Sequence, residues 1–577
     1  MLRNTAKGSI MTKSLRACFS LWLVAIAPAY AQEPPRLVLQ LTVDALRGDL
    51  PTRYFENLGE GGLKNLLENG VHYVDAHHCH ANTETVVGHA TLATGATPAV
   101  HGMIGNIWFD RTLDRVVYNV EDSTAPLLGD SAGVNDDIEI DPTQAAAGTD
   151  GRSPRAMLVT TLSDELNAST AGAAKVFGVS IKDRGAITMA GQSGKAFWFS
   201  KAANRFVTSS YYYDKYPDWV SVWNDASPSA SFEGTSWELM HPKEAYLFGD
   251  RDNQPWETDV AGFGITFPHR YSSTQNGFDP LENPYFTTFL TLSPAGDDLT
   301  AQFAKRLIDA EDIGQDAVTD YLAISFSSVD YVNHVFGPSS LEAEDTIYRL
   351  DQTLMNLFAF IDERIGLENV LFVLSADHGT TDAPGYLESV GIQTGLVAPD
   401  TWDPTEQIAR LKERFGITGK LLEGYNHPYL NIAPEVLARR DIDLPTLESA
   451  IAEELLSFPD VAFAVPSTAI EANLLPDTDI MRLIRNNYHP TRSGNIYVVF
   501  KPGWFIADFD GLSVTSTHGS PWRGDTHVPI IFAGPNLKPQ RVARRVCTTA
   551  LASTLSALLS TARPNGASGE VLQEVLD

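Results

Sequence analysis

The sequence predicts an α/β fold in which a mainly parallel sheet lies between layers of helices. Three short runs are mostly apolar and rich in branched side chains: residues 37–43, 321–326 and 370–374. Such runs are typical of strands that are buried on both faces. Polar residues follow the three runs, namely Asp44, Asp330 and Asp377-His378. Because ligands bind at the carboxyl ends of such strands, we expect the three aspartates to meet at one edge of the sheet.

Amphipathic helices are predicted between the strands. One apolar stripe consists of Leu63, Leu66 and Leu67, and a longer stripe consists of Ile347, Leu350, Leu354, Leu357 and Ile361. This spacing places the residues of each stripe on one helical face, which we expect to pack on the core. The second helix is predicted to start near Ser339, with Glu342 as its capping-box partner.

Two long stretches interrupt the alternation of strands and helices. Residues 185–300, approximately, are rich in aromatic and small polar side chains, and residues 385–510 mix short helical and strand-like runs. No flexible linker flanks either stretch, so we interpret both as insertions that cap the carboxyl edge of the sheet. Independent domains are the alternative.

The N-terminal segment is typical of a secretory signal. Four basic residues precede an apolar run at 17–27, and Ala29-Tyr30-Ala31 supplies small residues at the cleavage site. We therefore predict a cleaved signal peptide at residues 1–31, a catalytic domain at 32–577, and a periplasmic or secreted protein. No later run approaches the ~20 apolar residues of a membrane helix, so no membrane anchor is expected.

The charge balance limits the class of partner. The 72 Asp and Glu residues outnumber the 42 Lys and Arg residues, which gives a formal net charge of −30. A surface that wraps a nucleic acid is therefore not expected. A small anionic substrate remains compatible with this charge if a few cations, including metal ions, lie together in one pocket.

The cysteines do not form a disulfide framework. Only Cys79 and Cys547 remain after the signal peptide, so one bridge and two lone buried thiols are both compatible with the sequence. A zinc site built from a cysteine cluster is excluded.

Asp and His residues form the pattern with the clearest chemistry. Asp330 and His334 are four residues apart, so on a helical turn they would share one face. Each such element alone has an ordinary structural explanation. Together they provide three aspartates and three histidines, which is enough for two closely spaced divalent ions. The six residues are Asp44, Asp330, His334, Asp377, His378 and His518.

Thr85 is the candidate nucleophile. It lies where a loop is predicted to enter a helix, so its hydroxyl could sit among free N–H groups that face an anion. The alternative is that Thr83 or Thr85 is only a helix N-cap.

These motifs resemble the alkaline phosphatase superfamily, in its type I phosphodiesterase/nucleotide pyrophosphatase branch. The resemblance is greatest to the phosphate-irrepressible, PafA-type alkaline phosphatases. It rests on collinear motifs from residue 44 to residue 534: Val43-Asp44, Thr85-Val86-Val87-Gly88-His89, Gly105-Asn106, Ser180-Ile181-Lys182-Asp183-Arg184, Asp330-Tyr331-Val332-Asn333-His334, Ala376-Asp377-His378-Gly379 and Thr517-His518-Gly519-Ser520. It implies an alkaline-phosphatase-like core and an exported enzyme with broad specificity for small phosphate esters.

The resemblance also implies roles for single residues. Asp330, His334 and His518 would hold one zinc ion. Asp44, Asp377 and His378 would hold a second zinc ion, with Thr85 bound to it as the nucleophile that forms a phosphothreonine. Manganese or cobalt could occupy the same ligands. A monomer is expected.

Three further residues favour monoesters over diesters. Lys182 and Arg184 would lie on one side of an extended segment, although such a pair is usually a solvated basic face. The resemblance implies that these two cations and Asn106 hold the non-bridging phosphoryl oxygens. A monoester dianion carries one more negative charge than a diester, so two cations favour it.

Two alternatives remain open. One is a phosphodiesterase or nucleotide pyrophosphatase on the same scaffold, and the other is an exported phosphate- or polysaccharide-binding protein that retains a degenerate hydrolase scaffold. We interpret His77, His78 and His80 as structural or surface residues. We expect His527 to support the metal ligands or to lie on the substrate side of the site, without binding metal itself.

Overall fold

One large sheet runs through the protein. The computed structural model describes residues 34–129, 132–135, 139, 141–272, 283–506, 508–509 and 512–576, and the predicted signal peptide lies outside this part of the chain. The strand order is Gln540–Val542, Val71–His77, His527–Ala533, Val370–Ser375, Leu37–Val43, Asp320–Phe326, Val176–Ser180, Lys195–Ser200 and Arg205–Val207, and Val546–Cys547 also pairs with Val71–His77.

The centre of this sheet is parallel. Leu37–Val43 runs parallel to both Asp320–Phe326 and Val370–Ser375, and Val176–Ser180 continues the parallel arrangement toward one edge. His527–Ala533 is antiparallel to its two neighbours. The predicted α/β class with a mainly parallel sheet is therefore confirmed.

The core lies on both faces of the sheet, as continuous apolar strands require. Leu39 and Leu41 pack into one apolar cluster, whereas Val38 packs into a second cluster with residues of Ala550–Leu558. In the described part of the chain, the α-helices outside residues 384–510 are Leu50–Arg53, Leu63–Asn69, Thr85–Thr94, Pro98–His101, Pro142–Ala145, Leu162–Ser169, Asp183–Ala190, Asp218–Ala226, Phe286–Thr291, Pro294–Ala310, Ser328–Phe336, Leu341–Arg364, Arg523–Thr526, Ala550–Leu558 and Gln573–Leu576.

Residues 385–510 contain a separate four-stranded antiparallel sheet. Its strands, in spatial order, are Leu422–Asn426, Tyr429–Ile432, Ile496–Phe500 and Val461–Pro466. The helices of this region are Pro384–Ser389, Glu406–Arg414, Pro434–Leu437, Leu444–Leu455, Ser467–Glu471 and Asp479–Asn487.

Four two-stranded sheets complete the strands of the described residues. They are Ile107–Asp110 with Arg115–Tyr118, Ser236–Trp237 with His269–Arg270, Gly395–Val397 with Trp504–Ile506, and Asp508–Phe509 with Leu512–Ser513.

Part of the other predicted insertion, at residues 185–300, belongs to the large sheet. Lys195–Ser200 and Arg205–Val207 form its edge, where the buried Phe197 and Trp198 pair with the end of strand Val176–Ser180. The domain boundaries as a whole stay a prediction.

The predicted capping box of Ser339 and Glu342 does not form, because helix Leu341–Arg364 has its N-cap one residue later. Ser340 is the N-cap of Leu341–Arg364, and its hydroxyl accepts a hydrogen bond from the backbone N–H of Ala343. Glu342 is fully buried, and its Oε1 lies 3.3 Å from Nε2 of His269. The carboxyl group of Glu342 therefore faces the interior and does not cap the helix.

The burial of Glu342 leads to a test at alkaline pH. Burial raises the pKa of Glu342 from 4.5 to about 8. Between these values the native state keeps a proton that the unfolded chain has lost, so the free energy of unfolding falls as pH rises. Glu342→Gln cannot ionise and is expected to gain on the order of 4 kcal/mol relative to the parent between pH 4.5 and 8. Urea unfolding across this pH range measures the difference.

The control is Glu363→Gln, which changes an exposed glutamate on the same helix. Its stability difference from the parent should stay nearly constant with pH. A difference for Glu342→Gln that is equally constant would contradict the assignment of a neutral buried carboxyl group.

The sequence left the pairing of the cysteines open, and the structure shows that Cys79 and Cys547 form a disulfide. The bridge joins the segment before Thr85 to the C-terminal strand Val546–Cys547. The neighbouring His77, His78 and His80 are all buried, so the surface interpretation of these histidines was wrong.

Candidate active site

The carboxyl ends of the central strands bring the predicted ligands together. The strand register aligns Val43 with Phe326 and Thr42 with Ser375, so the strands end side by side. Asp44 follows the first strand directly. Asp330 lies in helix Ser328–Phe336 after the second strand, and Asp377-His378 follows the third.

Two groups of side chains, which share His378, could hold metal ions. In the first group, Nε2 of His378 lies 3.3 Å from Oδ1 of Asp44 and 3.5 Å from Oδ2 of Asp377. In the second group, Nε2 of His518 lies 3.4 Å from Oδ1 of Asp330.

His334 joins the second group, because its Nε2 also lies 3.4 Å from Oδ1 of Asp330. The rings of His378 and His518 stack with their centroids 3.6 Å apart, which brings the two groups into contact. All six predicted ligands therefore meet in one place.

Backbone carbonyl groups fix the orientation of the three imidazoles. Nδ1 of His334, His378 and His518 lies 2.8 Å from the carbonyl oxygen of Ser516, Gly379 and Thr83, respectively. A proton on Nδ1 can donate to that carbonyl, and the lone pair on Nε2 then faces the carboxylates. Histidines that bind metals are commonly oriented in this way.

Three carboxylates, those of Asp44, Asp330 and Asp377, lie buried together at this place. Within the described residues, one lysine, Lys182, contacts two of them, so their negative charge is only partly balanced. Burial of unpaired charge is costly unless ions or protons balance it. Burial by itself would lower the pKa of His378, but Asp377 and Asp44 outweigh it and raise this pKa to about 9. The remaining negative charge and the aligned imidazoles fit divalent cations.

Thr85 is the first residue of helix Thr85–Thr94 and is almost completely buried. The N-cap position belongs to Glu84, whose side chain makes no capping hydrogen bond. The hydroxyl of Thr83 donates to the carbonyl oxygen of Ser520. Neither threonine is therefore an N-cap, and Thr85 lines the same cavity as Asp330 and His518.

Gly88 lets the helix that carries Thr85 approach the metal ligands. A methyl group at this position would overlap the carbonyl oxygen of Asp377. Gly88→Ala is therefore expected to lower the free energy of unfolding by about 3 kcal/mol, because a packed core tolerates extra volume poorly. Urea unfolding of the metal-free chain measures this loss.

The matched control for this substitution is Gly424→Ala, because nothing in the structure would contact the added methyl group at Gly424. Equal stability of the two variants would show that the close packing of the helix on Asp377 is not required.

Lys182 and Arg184 both line the cavity, although the predicted extended segment is wrong. Lys182 is the N-cap of helix Asp183–Ala190, and Arg184 is the second residue of that helix. Nζ of Lys182 lies 2.7 Å from Oδ2 of Asp44 and also contacts Oδ2 of Asp330. Burial alone would lower the pKa of Lys182, but these two carboxylates outweigh it and raise the pKa. Lys182 is therefore a buried cation between the two groups of candidate ligands.

Arg184 and Asn106 complete the polar end of the cavity. Nη1 of Arg184 lies 2.9 Å from Oδ2 of Asp141 and 3.3 Å from the hydroxyl of Tyr118. Oδ1 of Asn106 accepts a hydrogen bond from the backbone N–H of Val86, so its Nδ2 remains a donor. These contacts set the direction in which each side chain can donate to an anion.

Sequence reasoning missed two residues that hold this arrangement. Asp141 pairs with Arg184, but it lies in a loop without a recognisable motif. His89 belongs to one of the motifs of the resemblance, but no role was predicted for it. Its Nδ1 lies 2.8 Å from the carbonyl oxygen of Thr85 and 3.1 Å from Oδ2 of Asp377. Its position four residues after Thr85, on the same helical face, was the signal that could have identified it.

His527 lies outside the lining of the cavity. Its ring stacks on His77, and its Nε2 is 3.0 Å from the carbonyl oxygen of Val74. His527, His77 and Asp75 form a third group of possible ligands, but Arg523 already contacts both Asp75 and His77.

Known proteins resemble this chain over most of its length. The family model described as type I phosphodiesterase/nucleotide pyrophosphatase matches residues 38–521. Alkaline phosphatase PafA of Elizabethkingia meningoseptica is 33% identical over 94% of this chain and 94% of its own length. Alkaline phosphatase PhoV of Synechococcus elongatus is 32% identical over 94% of this chain and 93% of its own length.

The crystal structure of wild-type PafA has a TM-score of 0.83 to this protein at 31% identity. It covers 95% of this chain and 100% of the PafA chain. The chain belongs to the type I phosphodiesterase/nucleotide pyrophosphatase family. Within that family it is of the PafA type of alkaline phosphatase, which confirms the predicted class of phosphoric monoester hydrolase. No helix among the described residues has both the length and the apolar character needed to cross a membrane.

Proposed function

We propose that this chain hydrolyses phosphate monoesters of broad structure through a phosphothreonine at Thr85. One observation carries the proposal: Thr85, the cations Lys182 and Arg184, and the ligand residues Asp330 and His518 line one cavity. A nucleophile, groups that bind phosphoryl oxygens and candidate metal ligands are the parts that phosphoryl transfer needs.

We assign the ligands to two divalent ions, with zinc as the proposed metal. Asp330, His334 and His518 would hold one ion, whereas Asp44, Asp377 and His378, together with Thr85, would hold the other. Imidazole and carboxylate donors suit zinc, and manganese or cobalt are the alternatives. When bound, such ions make a hydroxyl more nucleophilic near neutral pH and stabilise negative charge on oxygen.

The protein side chains then carry out a two-step displacement. Lys182, Arg184 and Nδ2 of Asn106 bind the non-bridging oxygens and hold phosphorus in front of Oγ of Thr85. Oγ attacks phosphorus, the bond from phosphorus to the ester oxygen breaks, and the alcohol leaves with a proton. Water next attacks the phosphothreonine, the bond from phosphorus to Oγ breaks, and inorganic phosphate leaves while Thr85 regains its hydroxyl.

We also propose that the protein is exported and acts as a monomer. The support for export is the signal-like pattern of residues 1–31. The support for a monomer is that one chain supplies the nucleophile, both cations and all six candidate ligands.

A comparison of two esters tests the proposed function. We expect kcat/KM for phenyl phosphate to exceed that for methyl phenyl phosphate by about 100-fold or more, because only the monoester is a dianion. Chelation should abolish both activities, zinc should restore them, and elemental analysis should find two metal ions per chain. A preference for the diester would favour the phosphodiesterase alternative, and phosphate binding without hydrolysis would favour the binding protein.

A further inference from the structure

The cavity that contains Thr85 has a polar end, where Lys182 and Arg184 lie, and a separate apolar wall. The wall consists of Val260, Phe500, Trp504, Phe505, Ile506 and Trp522. All six side chains are aromatic or branched, and five of the six residues lie in the segment 500–522. The same cavity therefore combines cations and carboxylates with a large area of aromatic surface.

Contacts inside the protein hold the two tryptophans of the wall in place. The indole Nε1 of Trp522 donates to the carbonyl oxygen of Phe500 at 2.8 Å, so its polar atom is already used. The ring of Trp504 packs on Gly395, where a methyl group would overlap it, and strand Trp504–Ile506 pairs with Gly395–Val397. The wall is therefore preformed, and its aromatic rings line the cavity.

The charges around the cavity indicate which organic groups fit. Among the described residues, Lys182 and Arg184 are the only lysine or arginine side chains that line it. Both cations lie at the polar end and contact carboxylates there. A second phosphate or another anionic group on the substrate would find no cation along the wall, whereas a neutral aromatic ring would displace water from apolar surface.

We propose that this wall binds the organic group of the ester and makes the enzyme prefer, within a broad range of monoesters, those of neutral aromatic alcohols. The inference rests on the proposed function, since it concerns the alcohol part of the same substrate. Trp504 is the residue chosen to test it, because Trp522 follows the loop of His518 closely and its removal would also disturb that ligand.

The test compares phenyl phosphate with methyl phosphate on the metal-loaded enzyme. Trp504→Ala is expected to lower the ratio of the two kcat/KM values about tenfold, the scale on which apolar pockets discriminate. Trp504→Phe, which keeps a ring, should recover most of the ratio. Trp223→Ala removes a partly buried tryptophan that does not line the cavity, and it should leave the ratio unchanged.

A binding measurement on the parent enzyme gives a result that does not depend on the folding of a variant. Phenylphosphonate is expected to inhibit with a Ki about tenfold lower than that of methylphosphonate. Equal Ki values, or an unchanged ratio in Trp504→Ala, would overturn the inference while leaving monoester hydrolysis intact. If the parent hydrolyses neither ester, the proposed function itself fails.

Discussion

Thr85→Ala is expected to lower kcat/KM for phenyl phosphate by about 10⁴-fold or more, because it removes the atom that accepts the phosphoryl group. Thr85 is nearly fully buried at the start of its helix and lines the cavity with both cations. No other residue is proposed to take up phosphorus. The loss should appear chiefly in kcat.

Two measurements separate the loss of a nucleophile from the loss of a metal site. Elemental analysis should find most of the metal still bound to Thr85→Ala, since six other ligands remain. In the parent, acid quenching during turnover should trap phosphate on the peptide that contains Thr85, and mass spectrometry can locate it.

The control variant is Thr91→Ala. Thr91 is a buried threonine on the same helix, and its hydroxyl donates to the carbonyl oxygen of Val87. Its removal should cost stability but leave kcat within a small factor of the parent. If Thr85→Ala kept more than a tenth of the parental turnover, another residue or water would have to be the nucleophile.

The candidate metal ligands that follow the central strands could be predicted because their positions follow from topology. Asp44, Asp330 and Asp377 come just after apolar runs, and parallel strands that lie side by side end at one edge. His518 follows no parallel strand, so topology alone did not predict that it lies beside the aspartates. In the structure its Nδ1 lies beside the carbonyl oxygen of Thr83, far away in sequence.

Features that depend on packing between distant parts of the chain could not be predicted from the sequence. Asp141 contacts Arg184 from a loop, and no periodicity or spacing connects the two residues. The disulfide between Cys79 and Cys547 spans a sequence separation of 468, and two cysteines alone could not show whether they pair. The N-cap of the long helix is Ser340, and Glu342 is buried against His269, a contact that a local motif cannot reveal.

The second large effect concerns the choice between monoesters and diesters. The double variant Lys182→Ala/Arg184→Ala is expected to lower kcat/KM for phenyl phosphate by about 10³-fold and for methyl phenyl phosphate by about tenfold. Both cations are buried, where a charge interaction is stronger than in water. The dianion gains more from two cations than the diester monoanion does.

Lys182 also contacts two candidate metal ligands, so the metal content of each variant must be known. Its contacts with Asp44 and Asp330 mean that its removal could change metal affinity as well as substrate binding. Arg184→Ala avoids this difficulty, because Arg184 pairs with Asp141. The single variant should reproduce the selective loss with its metal content intact.

Arg155→Ala supplies the matched control, since Arg155 is exposed and pairs with Asp122 away from the cavity. It should leave both esters unaffected. A parallel fall of both esters in Arg184→Ala, with metal still bound, would show that the arginine does not recognise the second negative charge. Selectivity would then have to arise from the lack of space for a second organic group, and a variant that widens the polar end of the cavity would be the one to raise diester turnover.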